Sequence, residues 1–362
     1  MGEQTRLDWF VPTRSRVAVW AAMVGLAGLV AAATVVGPAG AGGGDPVVAY
    51  ASTDAPGPAL SVPEAELGLS LRCSGDLAQA GREPVLLVPG TTLTPDEHFG
   101  WNYMPALDAL GWPWCAVTTP NHAMDDMQTS GEYVVYAIRT MHERAGRRIA
   151  LLGGSQGGSL PRWALRFWPD TRAMVEDHIG LAATNHGGSG IHYYCLPASA
   201  SPLAQDAGCA PSLWQQMHQS NLARAMNSGQ ETFPGISYTE ISSEQDIITT
   251  PKDVALHGGG GRIANLTIQA VCPGSVADHI RLASYDPVGY ALAVDALTHD
   301  GPADLARIDR SVCTQLHPPG VDPAAFLTGL ARGYSTISYQ MTTAPRVPKE
   351  PPLRCYVTAG CR

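Results

Sequence analysis

Residues 147–168 read RRIALLGGSQGGSLPRWALRFW. An unbroken apolar run, Ile149 to Leu152, enters the five residues Gly153-Gly154-Ser155-Gln156-Gly157, and an amphipathic stretch leaves them. The run reads as a buried parallel strand and the stretch after it as a helix. The five residues at the junction fit G-x-S-x-G. Glycine and serine are ordinary turn residues, so the pattern alone carries little. Its place between a strand and a helix carries more. A serine on a sharp strand-to-helix turn presents its hydroxyl at the top of a sheet, and small neighbours let the backbones approach. Ser155 is therefore read as a candidate nucleophile.

The same alternation continues outward. EPVLLVPG (83–90), WCAVTTP (114–120) and HIGLAATN (178–185) read as strands; PALDALG (105–111) reads as a short helix. TSGEYVVYAIRTMHERAG (129–146) places Val134, Val135, Ala137, Ile138 and Met141 on one helical face and ends on Gly146, where a C-cap belongs. PGPALSVPEAELG (56–68) reads as an irregular lead-in. Strand and helix in turn give an α/β fold with a mostly parallel sheet, in a single domain over residues 69–362.

A serine hydroxyl needs a base to take its proton. On this architecture the acid and then the histidine follow the serine in the chain. After Ser155 the main histidine candidates are His257, His279, His299 and His317. His279 follows the β-like run in ANLTIQAVCPGSVADHIRL (264–282) and precedes a helical stretch, which suits a base. His257 opens HGGGG, an imitation of an oxyanion motif on the wrong side of the serine; His299 reads as a helix end and His317 as a turn. GISYTEISSEQDIITTP (235–251) reads as a strand to about Ile241 and then a turn containing Asp246, the favoured acid, with Glu244 as its local rival. Asp278 adjoins His279 and reads as a loop or cap residue. Two donors for an oxyanion would be the backbone N–H of Gln156 and, from the loop LLVPGTTLTP (86–95), that of Thr91.

Composition narrows the function classes. Of 362 residues 45% are hydrophobic, and the formal net charge of −9 comes with no basic run able to track a phosphate backbone, so nucleic acid is not an expected partner. Arg6, Arg14 and Arg16 precede the uncharged run Val17 to Val36, and Ala39-Gly40-Ala41 offers a small-residue exit. Residues 1–41 are read as a secretory signal, with an uncleaved membrane anchor as the rival, and residues 42–68 as the lead-in segment. The eight cysteines, Cys73, Cys115, Cys195, Cys209, Cys272, Cys313, Cys355 and Cys361, all lie beyond that segment. An even count in an exported chain points to disulfides; no pair has zinc-site spacing, and neither metal nor organic cofactor is expected.

Taken together, these motifs resemble the Candida antarctica lipase B group of α/β-hydrolases. LLVPGT, NYMPALDALGWPWC, GEYVVYAI, SQGG, PSLWQQ (Pro211 to Gln216), SEQDII and AVC…DH stand in the family's order at similar spacing, from about Leu71 to the C-terminus. The resemblance implies an α/β-hydrolase fold, a secreted serine ester hydrolase acting on acyl esters such as triacylglycerols, and contact with a lipid interface. It puts Ser155, Asp246 and His279 in the catalytic roles and Thr91 and Gln156 at the oxyanion. It also implies the pairs Cys73–Cys115, Cys272–Cys313 and Cys355–Cys361, which leaves Cys195 with Cys209 across the insertion LPASASPLAQDAG (196–208). Two departures bear on the substrate pocket. Gly154 stands where the family has a bulky aromatic, which predicts a roomier pocket. Asn185, in TNHGGSG (184–190), takes the place of an acidic residue. An acyltransferase, a polyester or cutin-type hydrolase and a non-catalytic binding protein on the same scaffold are the rival readings. Oligomeric state is left open.

Overall fold

A computed structural model describes residues 48–78, 82–195 and 208–361, the last by its backbone alone. The expected signal or anchor segment, residues 1–41, lies outside the described residues, as does most of the Cys195–Cys209 insertion. Among the described residues seven strands form one sheet: β1 (Leu71–Cys73), β2 (Val85–Val88), β3 (Trp114–Val117), β4 (Ile149–Gly154), β5 (Val175–Leu181), β6 (Ser237–Ser242) and β7 (Arg262–Thr267). Their order is β1-β3-β2-β4-β5-β6-β7. β1 pairs antiparallel to β3, and every other pairing is parallel. This is the expected mostly parallel α/β-hydrolase architecture.

Side-chain alternation decides which layer each strand residue serves. Val85 and Leu87 of β2, with Ala150 and Leu152 of β4, enter a core that also takes Val288, Leu292 and Ala296 from the helix Pro287–Thr298. Their neighbours Leu86, Val88, Ile149 and Leu151 enter a second core with Val134, Val135, Ile138 and Met141 of the helix Met127–Ala145, and with Trp163 and Phe167 of the helix Gln156–Phe167. Both faces of the sheet are covered, which is why these strands read as continuous apolar runs. Gly146 takes the left-handed conformation (φ 62°) and its N–H returns to His142 O, the C-cap its sequence predicts.

The lead-in differs from its irregular reading. Glu64–Ser70 is a helix with Glu64 and Glu66 in its first turn, where carboxylates favour the N-terminal end of the helix dipole. Upstream, residues 48–62 are held to the body of the domain. The Trp168 indole donates to Pro58 O at 2.9 Å, and the buried Glu132 accepts from the N–H and hydroxyl of Ser61 and from Val62 N–H.

Three disulfides join Cys73 to Cys115, Cys195 to Cys209 and Cys272 to Cys313. The first crosses directly opposed residues of β1 and β3. Cys355 is also disulfide-bonded, and the side chain of its expected partner Cys361 lies outside the described residues. Among the described residues no helix is long and apolar enough to cross a membrane.

Candidate active site

β4 ends at Gly154, and the helix Gln156–Phe167 begins two residues later, so Ser155 alone makes the turn. It does so at φ 55° and ψ −124°, a region that costs a non-glycine residue about 1–3 kcal/mol. The turn is fixed by Ser155 N–H donating to Leu181 O at 2.8 Å and Gly158 N–H donating to Ser155 O at 2.9 Å. It closes because its flanks have no side chains. A Cβ on Gly153 would lie 2.0 Å from Gly157 O, and one on Gly157 2.0 Å from Val88 O.

The loops after β6 and β7 bring two more groups to this point. His279 opens the helix His279–Ser284, and its Nε2 lies 2.9 Å from Ser155 Oγ. Its Nδ1 lies 2.7 Å from Asp246 Oδ2. The buried Asp246 carboxylate also accepts from Ile248 N–H (2.7 Å), Thr249 N–H (2.9 Å) and the Thr249 hydroxyl (2.8 Å). Burial by itself would raise this carboxyl; the His279 imidazole and the Thr249 hydrogen bonds outweigh it and hold the pKa below the ordinary value. Ser243, at the end of β6, ties the two loops together by donating to Ala277 O at 2.7 Å.

The rival candidates stand apart. Glu244 is exposed, and its N–H donates to Gln269. Asp278 caps the His279 helix by accepting from Arg281 N–H. His257 and His299 are exposed, and His317 packs against Phe326 with the rings tilted by 41°.

Thr91 lines the same cavity as Ser155, and Gln156 follows the serine in the chain. Among the described residues neither backbone N–H has a protein acceptor. The Thr91 hydroxyl oxygen accepts from Gln156 Nε2 (3.2 Å) and Gln216 Nε2 (2.9 Å), and Gln156 Nε2 also donates to Ala123 O. Gln216 closes the PSLWQQ stretch, so that stretch matters here because it anchors the Thr91 loop. Thr91, Ser155 and His279 form the polar floor of a cavity of about 70 Å³. Leu93, Leu213, Ile248, Ile280, Ile337 and Met341 wall it. Among the described residues no group of three or more His, Cys, Asp or Glu could hold a metal ion.

The two pocket expectations fail. Gly154 does not line the cavity: a Cβ there would lie 2.4 Å from Ala283 O and 2.8 Å from His98 Cε1, so the space freed by the missing side chain is already filled. Asn185 is fully buried away from the cavity, donating to Glu240 Oε2 (2.8 Å) and Val254 O (2.7 Å). An amide serves there because it can donate to both acceptors at once, which a carboxylate could not.

His98 is absent from the sequence reading because it precedes the serine, where no base belongs. The signal available was TPDE, a capping motif that fixes the turn carrying it: the Thr94 side chain caps Glu97 N–H and Glu97 reaches back to Thr94 N–H.

Over 230 residues, 61% of this chain and 64% of the relative, the sequence is 32% identical to lipase B of Pseudozyma antarctica. The crystal structure of Aspergillus fumigatus lipase B superposes with a TM-score of 0.71 at 29% identity, covering 82% of this chain and 73% of that one. The chain is similar to the lipase B proteins. The aligned region spans less than two thirds of the Pseudozyma antarctica lipase B chain. No family model matches the sequence. The lipase B relationship carries the α/β-hydrolase fold, and within that fold the residues described above come together at the C-terminal edge of the sheet.

Proposed function

We propose that this chain is a secreted serine ester hydrolase, a lipase or carboxylesterase that cleaves acyl esters through an acyl-enzyme on Ser155. The observation that carries the reading is the continuous chain Ser155 Oγ–His279 Nε2 (2.9 Å) and His279 Nδ1–Asp246 Oδ2 (2.7 Å) on the floor of an apolar cavity. His279 takes the hydroxyl proton as Ser155 attacks the ester carbonyl. Asp246 keeps the proton of the neutral ring on Nδ1, leaving Nε2 free to accept, and stabilises the imidazolium that forms. The oxyanion is met by the N–H groups of Thr91 and Gln156. His279 then protonates the leaving alcohol, and water, deprotonated by the same ring, releases the acid.

The apolar wall suits an acyl chain, and the names of the relatives favour lipid esters. Ile247 and Val276, each 76% exposed, lie on the loops that carry Asp246 and lead to His279. Their exposure beside the site supports contact with a lipid interface. Export is supported by the N-terminal sequence and by the disulfides, which persist in oxidising compartments.

The test is hydrolysis of p-nitrophenyl esters of increasing chain length, with emulsified triacylglycerol alongside, for the wild type and Ser155→Ala, together with fluorophosphonate labelling. Labelling at Ser155, and loss of turnover by a factor of order 10⁴ or more in Ser155→Ala, are expected. Wild-type protein that neither labels nor hydrolyses any of these esters would overturn the reading.

A further inference from the structure

We propose that His98 is a positioning residue, setting the spacing between the oxyanion loop and the helix that carries His279. The proposal rests on the hydrolase reading above. His98 is buried, 1% exposed, and both ring nitrogens are engaged. Nδ1 lies 2.9 Å from Gly90 N and Nε2 lies 3.0 Å from Ala283 O. A backbone N–H can only donate and a carbonyl can only accept, so both bonds form with the neutral ring protonated on Nε2 and with no other state.

The two partners place this ring in the mechanism. Gly90 is the peptide neighbour of Thr91, whose N–H has no protein acceptor among the described residues and is assigned to the oxyanion in the hydrolase reading. Ala283 follows His279 by four residues, one turn along the same helix face. The ring also fills the space beside the nucleophile that Gly154 leaves open, with Cε1 2.8 Å from where a Cβ would stand. One imidazole therefore spans the oxyanion loop, the nucleophile turn and the base helix. Its own position is fixed. It stacks on Phe99 at 4.0 Å, its carbonyl accepts from Asn102 Nδ2 at 2.7 Å, and the adjoining Glu97 accepts from Thr336 on the long C-terminal helix.

His98→Phe keeps the ring and removes both hydrogen bonds. His98→Asn keeps an acceptor near Nδ1 for Gly90 N–H and gives up the reach to Ala283. Rates on one p-nitrophenyl ester are normalised to the folded fraction from melting curves, with wild type and Ser155→Ala as references. His98→Phe is expected to lower kcat by about 10–100-fold with KM little changed, the cost of misplacing reacting groups by a fraction of an ångström to about 1 Å. His98→Asn should fall between the two. A folded His98→Phe with wild-type kcat, or a change confined to KM, overturns the proposal, because the ring would then be a wall of the pocket and nothing more. A folded His98→Asn with wild-type kcat overturns it independently, whether or not His98→Phe folds. Wild type no faster than Ser155→Ala would instead bring down the hydrolase reading, and this proposal with it.

Discussion

Asp246 shows how much one carboxylate can organise. Its four hydrogen bonds come from Ile248, Thr249 and His279, so both oxygens are saturated while the group is buried. Such a carboxylate stays ionised, and an ionised partner at Nδ1 fixes the tautomer of His279. Asp246→Asn offers the ring an amide that turns its N–H₂ toward Nδ1 as readily as its oxygen, which favours the tautomer unable to accept from Ser155. Turnover is expected to fall by about 10⁴, the scale of this substitution in serine proteases, with little change in KM. Glu244→Gln, at an exposed side chain two residues away, should leave kcat within about twofold. Steady-state kinetics on a soluble ester checks both, and the reverse pattern would move the acid to Glu244.

At the scale of elements, the turn at Ser155 is a joint between three backbones. Gly153 and Gly157 let β4, β2 and the helix Gln156–Phe167 meet, while Gly154 faces the His279 helix and His98. The roomier pocket expected at Gly154 gives way to a crowded joint. A side chain at 154 meets Ala283 O, a backbone atom that cannot swing aside, and overpacking of this kind costs about 1–3 kcal/mol or more. Gly154→Trp should melt at lower temperature and lose activity toward small and bulky esters alike. A wild-type melting curve for this variant would show that the joint yields. Elements with a strong period or clear caps, such as Met127–Ala145, were legible from their residues. Pro323–Thr343, which supplies Ile337 and Met341 to the cavity wall, was not identified. It is partly exposed on several sides, and its small and polar residues leave no single apolar stripe.

Over the whole molecule, two buried groups titrate in opposite senses. Burial drives the His98 imidazole down to about 4 from 6.5, with His279 adding to the effect. The unfolded chain binds that proton more tightly, so stability is lost as pH falls from about 6.5 to about 4. Asp177 on β5 behaves conversely. Burial, then the neighbouring Glu83 and Glu176, push its carboxyl from 3.8 up to about 8, against Arg262 and Arg148. Here the folded state holds the proton, and the stability it contributes below pH 4 is lost as pH rises through 8. Asp177→Asn mimics the protonated form. It should match the wild type near pH 4 and melt higher at pH 8, where its stability advantage is on the order of 1–3 kcal/mol. Calorimetry across this range decides it; an equal melting difference at both ends would show that Asp177 does not titrate between them.

The sequence alone determined what is local or ordered along the chain. The strand-turn-helix at Ser155 follows from an apolar run, two flanking glycines and an amphipathic stretch, all within 22 residues. The candidates Asp246 and His279 follow from strand ends taken in order, because a parallel sheet delivers its C-terminal loops to one edge. Tertiary structure decided what depends on contacts between distant segments. Nothing near Gly154 in the chain shows that His98 and Ala283, 56 residues before it and 129 after it, occupy the space beside it. Nothing near Asn185 shows that Glu240 and Val254 take both its amide hydrogens. Pocket volume is the gap left between segments that fold together from far apart, and no single segment encodes it.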